Sequence, residues 1–144
     1  MKKKTATVFC WLAVIVCMGV IFYFSSQPAT VSQAVSDRFA FLLQLPFGSF
    51  IVRKGAHFLE FAGLSVLIFN ALHCSSSKFR PVLAFGLTAA YAVTDEIHQI
   101  FVDGRACRFF DWLVDCSGAA AALIFICLII FLSRKIKRRN SDDG

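Results

Sequence analysis

The sequence predicts an all-α membrane protein: a polytopic bundle of four transmembrane helices, with an amphipathic or re-entrant outer segment between helices 1 and 2. Hydrophobic residues make up 58% of the 144 residues and charged residues only 17%, whereas a soluble domain carries about 25% charged residues. Four apolar runs are long enough to cross, or nearly cross, a hydrocarbon core of about 30 Å. Basic residues flank the first and the last run, as they do where cytoplasmic ends meet anionic lipid.

The four predicted spans follow one another in a single domain of residues 1–144. They cover about residues 8–24, 55–72, 81–102 and 112–132, and residues 133–144 form a basic cytoplasmic tail. The first run is long for a signal peptide and has no convincing cleavage site after it, which favours an uncleaved helix. Pro81 suits the first turn of the third helix, where its missing N–H costs least.

Small residues in the third and fourth spans predict where helices pack closely. Gly86 with Ala90, and Gly118 with Ala122, are pairs spaced four apart. Such pairs let two helix backbones approach each other in lipid. We therefore expect both spans to pack through these positions.

The six cysteines predict packing rather than redox or metal chemistry. No CxxC sequence occurs and the spacings match no zinc pattern. Only Cys107 and Cys116 are expected to meet on one side of the membrane. Within apolar runs, a cysteine behaves as a small hydrophobic residue.

The basic residues predict an orientation and argue against nucleic acid. Ten of the fifteen Lys and Arg residues lie at the termini or between spans two and three, and five lie in the other two connections. This excess places both termini in the cytoplasm. A nucleic-acid site needs a basic face on a folded domain with interleaved aromatic residues, so we expect a lipid bilayer and no nucleic acid as partner.

The outer segment, roughly residues 28–53, is not plainly polar. Apolar side chains recur at helical spacing: Val31, Val35, Phe39 and Leu42. This pattern predicts an interfacial helix, followed by a re-entrant or surface-lying stretch over residues 42–50 around Pro46 and Gly48. The segment is placed to cover polar residues at the outer face, although a helix resting in the headgroups explains it equally well.

Ionisable residues interrupt the spans only near this outer face. They cost several kcal/mol at the bilayer centre and less toward the interface. Side chains three or four residues apart share a helix face, which groups three sets: Lys54, His57 and Glu60; Asp95, His98 and Gln99; and Asp111 and Asp115. We therefore expect an outward-facing cluster drawn from three helices.

These residue types suit several kinds of site. A carboxylate beside a histidine acts as a general base or orients the imidazole, so His57 or His98 is a candidate acid/base, with Asp95 and Glu60 orienting it. Arg105 with Lys54 suits an anionic group. The candidate catalytic residues are His57, Glu60, Asp95, Glu96 and His98, and the candidate substrate-binding residues are Lys54, Gln99, Arg105, Asp111 and Asp115.

Two alternatives remain open at this point. Two histidines with several carboxylates are also ligands that a divalent metal accepts. Alternatively, the charges form interhelical ion pairs, such as Arg105 with Glu96 or Lys54 with Asp115, that only hold the bundle together. No HExxH, GxSxG or Gly-rich phosphate loop occurs, so the residues indicate no specific reaction and leave open whether the protein is an enzyme.

The motifs resemble those of the VanZ-like membrane proteins over nearly the whole chain. They are FSSQ at 24–27, RKGAHFLEF at 53–61, TDEIHQIF at 94–101, GR at 104–105, and DW at 111–112 with Gly118. The chain departs from that family's pattern at Phe61, Asp103 and Asp115, where Tyr, Pro and Asn are common. The last of these adds a carboxylate in place of a neutral amide.

The resemblance implies a bacterial cell-membrane protein, in some members tied to glycopeptide (teicoplanin-type) resistance, and it supplies no reaction. We therefore expect a protein that acts on or binds a cell-envelope component through its outward polar cluster. The expected partner is an outer-leaflet lipid-linked or peptidoglycan-linked substrate. The competing interpretation is a non-catalytic structural or partner-binding membrane protein.

Overall fold

The computed structural model describes residues 2–44, 48–78 and 80–142, and this part of the chain is all-helical. Its helices are α1 (Lys2–Ser25), α2 (Ala29–Leu42), α3 (Gly48–Cys74), α4 (Arg80–Gln99) and α5 (Phe109–Asp142). Three of them contain stretches long and apolar enough to cross a membrane: Lys4–Ser25, Gly48–Cys74 and Phe109–Asn140. The polar ends of α4 make it less apolar, and it is not among the three. These apolar helices suit a lipid bilayer and identify a membrane protein.

Each predicted span corresponds to a helix, but the helices do not end where the apolar runs end. α1 begins at Lys2 rather than residue 8, α3 at Gly48 rather than residue 55, and α5 continues to Asp142 through the predicted tail. An α-helix closes its own backbone hydrogen bonds, so polar residues continue it beyond the apolar stretch. The apolar runs in the sequence therefore locate the helices but do not mark where the helices end.

The third predicted span ends too late. α4 stops at Gln99, and the backbone then makes successive i→i−3 hydrogen bonds from Ile100, Phe101 and Val102. These tight turns lead into Gly104, whose φ is +72°. Glycine adopts this left-handed backbone conformation more readily than other residues do, and the conformation does not continue a right-handed helix.

The predicted interfacial helix is confirmed as a helix, α2. Its apolar side chains, including Val35 and Phe39, are exposed, whereas the small residues Ser36 and Ala40 are buried. Among the described helices α2 packs against α3, and its exposed apolar side chains remain available to meet lipid. Residues 45–47, which include Pro46 of the predicted re-entrant stretch, lie outside the described residues.

α3 is the central helix of the bundle. It contacts α1, α2, α4 and α5, and α4 also packs against α5. Its buried residues recur every three or four positions, from Phe61 through Leu64 and Ile68 to Leu72. That period places one continuous stripe against the neighbouring helices.

The two small-residue pairs behave differently. Gly118 is buried, and a Cβ added there would overlap the backbone carbonyl of Phe58, so α5 and α3 approach closely at this glycine. Gly86 and Ala90 are exposed, and a Cβ at Gly86 would meet nothing within 4 Å. The prediction that the third span packs through Gly86 and Ala90 is therefore wrong within this chain.

The expectation about cysteine neighbours is also wrong. Cys10 Sγ lies 3.0 Å from Cys74 Sγ and joins the start of α1 to the end of α3. Cys107 is exposed on the α4–α5 connection, whereas Cys116 is buried on α5. Spacing in sequence does not show which helix ends adjoin.

Candidate functional site

The buried faces of four helices end in polar residues at one end of the bundle. On α4 the buried positions run Ala84, Thr88, Ala92, Asp95, Gln99, so the carboxylate continues the core stripe. The same holds for Ser25 on α1, His57 on α3 and Asp115 on α5, which lie in register with Ile21, Phe61 and Ala119. We call Ser25, His57, Asp95, Gln99 and Asp115, with the charged residues around them, the polar end.

Asp95 is the most completely paired acid of the polar end. It is 2% exposed. Its Oδ1 accepts a hydrogen bond from Ser25 Oγ at 2.5 Å, and its Oδ2 accepts one from Gln99 Nε2 at 3.0 Å. These bonds tie α4 to the end of α1 and fix the carboxylate in place.

The half-buried His57 and the buried Asp115 form a pair between α3 and α5. His57 Nδ1 lies 3.3 Å from Asp115 Oδ1, and Asp115 is fully buried. Neither Asp115 oxygen has a hydrogen bond of good geometry in the described part of the chain. The His57 ring lies parallel to Phe61, with the ring centroids 6.5 Å apart. A buried carboxylate this close to an imidazole is well placed to orient it or to exchange a proton with it.

The residues around the start of α5 make a second set of contacts, which reach α3 and α4. Lys54 of α3 forms an ion pair with Asp111 in the first turn of α5. Glu96 Oε2 accepts a hydrogen bond from the Arg108 backbone N–H at 2.8 Å, whereas Glu96 Oε1 is buried without a partner in the described residues. The entry to α5 is thus held against both α3 and α4.

Arg105 is positioned by the glycine before it. A Cβ at Gly104 would lie 3.0 Å from the Ala29 Cβ, so this turn sits directly against the start of α2. The Arg105 guanidinium then donates to the Gln27 carbonyl at 2.9 Å and to Ser32 Oγ at 2.5 Å. Arg105 therefore joins the α4–α5 connection to the end of α1 and the start of α2.

Two candidate residues stand apart from these pairs. His98 Nε2 lies 3.0 Å from Ser26 Oγ, and its ring lies 4.2 Å from that of Phe22, so it faces α1 rather than His57. Glu60, half-buried on α3, makes no hydrogen bond or ion pair with any residue that the structure describes. Packing alone does not explain a carboxylate at that position.

Two adjoining pockets open at the polar end. The first, of about 140 Å³, is lined by four bases, Arg53, Lys54, Arg105 and Arg108, together with His57, Gln99 and Asp111; we call it the cationic pocket. The second, of about 690 Å³, is bordered by apolar side chains of α1, α2 and α3, among them Phe24, Val31, Val35, Phe39, Ile51 and Leu59; we call it the apolar groove. Arg53, His57 and Arg105 line both pockets.

Comparison with known proteins gives one match. The VanZ/LLP1 family profile matches residues 9–132, which include every residue of the polar end. The chain belongs to the VanZ/LLP1 family. No curated protein and no solved structure matches it significantly.

Within this VanZ/LLP1 chain the pairing differs from the sequence-based expectation. The carboxylate beside His57 is Asp115, not Asp95 or Glu60. Lys54 pairs with Asp111 rather than Asp115. Arg105 is bonded to carbonyl and hydroxyl oxygens of α1 and α2 rather than to Glu96. Partner choice depends on how the helices are rotated about their axes, which spacing along one helix does not reveal.

Other residues of the site carry no assigned role in the sequence-based prediction. Arg53 lines both pockets, and Ser25, Ser26 and Gln27 bond three of the predicted residues. The available signal was the polar FSSQ run directly after an apolar span and the adjacent pair Arg53-Lys54. A run of hydroxyl and amide groups at a span end is easily interpreted as solvated loop.

Residues 2–44, 48–78 and 80–142 contain no group of three or more His, Cys, Asp or Glu side chains placed to hold a metal ion. In the VanZ/LLP1 polar end, Asp95, Glu96, Asp111 and Asp115 lie against hydroxyl, amide, backbone N–H, lysine and imidazole groups, and Glu60 has no such partner among the described residues. The geometry of the described residues thus favours binding through hydrogen bonds and positive charge.

Proposed function

We propose that this VanZ/LLP1-family protein binds, and acts on, a cell-envelope component at the outer face of the bacterial cell membrane. The observation that carries the proposal is the junction of the cationic pocket with the apolar groove at His57. A site with charge at one end and apolar walls beside it suits a ligand that is itself part lipid. Envelope precursors that are lipid-linked have this chemistry.

The proposal includes a topology. α4 serves as a fourth span, with its 20 residues reaching about 30 Å at 1.5 Å per residue. Both termini are then cytoplasmic, since ten of the fifteen basic residues lie on that side. This orientation turns the polar end outward, toward the compartment where cell-wall precursors and glycopeptides meet. A changed susceptibility to teicoplanin-type glycopeptides is the phenotype expected from it.

The proposed roles follow from the contacts. His57 is the acid/base, and Asp115 orients its imidazole from 3.3 Å. Asp95, held by Ser25 and Gln99, keeps α1 and α4 in register beside it. Glu60, with no partner in the described residues, is the acid that meets the ligand.

A second candidate function is purely structural. The ion pair between Lys54 and Asp111, and the contact between His57 and Asp115, both join α3 to α5. In this interpretation the charges hold the bundle together, and no component is bound. The two functions differ most at Glu60, because a side chain that bonds none of the described residues contributes little to folding.

The test compares Glu60→Gln with the wild type in cells that lack the gene. Membrane levels are measured by immunoblot, and lipids and lipid-linked precursors by mass spectrometry, alongside teicoplanin susceptibility. Glu60→Gln should accumulate like the wild type yet fail to restore the envelope composition. The matched control is Ser117→Ala on α5, because the exposed Ser117 hydroxyl bonds only the Val114 carbonyl of its own helix.

Full restoration by Glu60→Gln would reject a role for that residue in binding or conversion. Loss of accumulation in His57→Ala and Asp95→Ala, together with a silent Glu60→Gln, would favour the structural function. The Ser117→Ala control should match the wild type in level and in effect.

A further inference from the structure

The cationic pocket carries more positive charge than its own acid neutralises. Four bases and one acid, Asp111, line it, and Asp111 pairs with Lys54. No carboxylate lies within ion-pair distance of Arg53, Arg105 or Arg108 in the part of the chain that the structure describes. The pocket therefore suits an anion with several acceptor oxygens.

Arg53 and Arg105 also act on each other. Burial lowers the pKa of the Arg105 guanidinium below its usual value and the charge of Arg53 lowers it further, whereas the charges of Asp95, Glu60 and Glu96 raise it. Their hydrogen bonds go to neutral acceptors: Arg53 Nη1 donates to Gln33 Oε1 at 3.4 Å, and Arg105 donates to carbonyl and hydroxyl oxygens. An anion that accepts from both guanidinium groups replaces their repulsion with two attractions.

The adjoining apolar groove indicates that the bound anion carries an apolar chain. Arg53 and Arg105 line the groove as well as the pocket, so one molecule placed at their junction reaches both. Side chains of α2 that border the groove, such as Val35 and Phe39, are more than half exposed. Apolar surface of this kind, rimmed by charge, matches an acyl chain better than it matches water.

We propose that the bound component is a phospholipid of the surrounding leaflet whose headgroup is a phosphomonoester. This inference rests on the proposed function. The phosphate lies among Arg53, Arg105 and Arg108, and one acyl chain lies in the apolar groove. A phosphomonoester carries a charge of about −1.5 to −2 at neutral pH and offers three terminal oxygens. A phosphodiester has one charge and two such oxygens, and it leaves more of the arginine charge uncompensated.

The test measures lipid binding to the purified full-length protein by native mass spectrometry. Dioleoyl phosphatidate and dioleoyl phosphatidylglycerol are titrated separately, since they share both chains and differ in the headgroup. Phosphatidate should bind at least about tenfold more tightly, the equivalent of one additional charge-assisted hydrogen bond. Equal affinities would overturn the phosphomonoester assignment.

The decisive variant is Arg53→Gln combined with Arg108→Gln, which should reduce phosphatidate binding to the level of phosphatidylglycerol. The matched control is Arg38→Gln, at an exposed arginine of α2 that lines neither pocket. An equal loss in Arg38→Gln would show unspecific attraction and overturn the site. If the double variant does not fold, Arg108→Gln alone serves, because the Arg108 side chain is exposed.

The position of the acyl chain is tested separately with Ala56→Trp, which adds bulk at a residue that lines the apolar groove. It should weaken phosphatidate binding, and unchanged affinity would overturn the placement of the acyl chain. A long-chain isoprenyl phosphate that binds more tightly than phosphatidate would overturn the assignment to a bilayer phospholipid.

Failure of this inference is distinguishable from failure of the proposed function. If cells show the Glu60-dependent envelope change and the purified protein does not prefer phosphatidate, the phospholipid assignment is rejected and the proposed function stands. If the preference exists and depends on Arg53 and Arg108 while cells show no envelope change, the inference is supported and the proposed function is rejected.

Discussion

At the scale of single residues, the buried acids of the polar end lie where the apolar faces of their helices end. Asp95 and Asp115 occupy positions that are apolar one or two turns deeper along the same helix faces. Residue type and spacing were sufficient to nominate them, because helical periodicity fixes which side chains share a face. Their partners were not predictable, because Ser25 and His57 reach them from helices that are distant in sequence.

The buried pair gives a prediction about stability. His57→Ala removes the imidazole that lies 3.3 Å from the buried Asp115 carboxylate. Leaving one member of a charged buried pair without its partner costs up to about 3–5 kcal/mol, so the thermal midpoint in detergent should fall. Adding Asp115→Asn removes the uncompensated charge and should recover most of that loss, as thermal unfolding monitored by size-exclusion chromatography would show.

Asp115→Asn alone isolates the contribution of the carboxylate, which completes a double-mutant cycle. A double variant as unstable as His57→Ala would contradict an electrostatic pair and indicate packing of the imidazole alone. Thr94→Ala is a suitable control, because the exposed Thr94 hydroxyl bonds only the Tyr91 carbonyl of its own helix.

At the scale of helices, prediction succeeded where a pattern is local. The spacing of Val31, Val35 and Phe39 predicted α2, and hydropathy located the stretches of α1, α3 and α5. It failed at the α4–α5 connection, since the turn depends on the positive φ of Gly104 and on its contact with Ala29. A connection shaped by a distant helix leaves little trace in its own sequence.

The two glycines on α4 and α5 make a matched pair for testing helix packing. Gly118→Ala should lower the thermal midpoint, because its Cβ overlaps the Phe58 carbonyl and overpacking costs about 1–3 kcal/mol. Gly86→Ala should leave the midpoint unchanged or raise it, since alanine favours a helix by about 1 kcal/mol over glycine. Equal effects of the two changes, measured by thermal unfolding in the same detergent, would contradict the close approach of α3 and α5.

At the scale of the whole molecule, composition and charge were the strongest guides. The excess of apolar residues predicted a membrane protein, and the distribution of lysine and arginine predicted an orientation. The helices agree with the first, while the orientation stays a prediction. Which helix is central was not predictable, because hydropathy along the chain does not show which helices contact one another.

The orientation can be tested with a membrane-impermeant maleimide on intact cells. Cys107, which is exposed on the α4–α5 connection, serves as the outer reporter in a variant whose other cysteines are changed to alanine. The inner reporter is Lys78→Cys in a cysteine-free chain, on the α3–α4 connection. Cys107 should react in intact cells and the cysteine at position 78 only after permeabilisation, because the basic ends favour the cytoplasm.

This pair of reporters also tests α4, the one helix between them. Labelling on opposite sides requires α4 to cross the membrane. Equal labelling of both positions in intact cells would place α4 on one side, and reversed labelling would invert the protein and turn the polar end inward. Gly104 is a poor reporter position, because its φ of +72° disfavours any other residue.

α5 has a mechanical consequence. As one helix of 34 residues it is about 51 Å long at 1.5 Å per residue, well beyond a hydrocarbon core of about 30 Å. Asp111 and Asp115 lie near one end of this helix, and the exposed bases from Arg134 to Arg139 lie toward the other end. In the proposed topology these two ends lie on opposite sides of the bilayer, so a change in the tilt of this single helix would move both ends together.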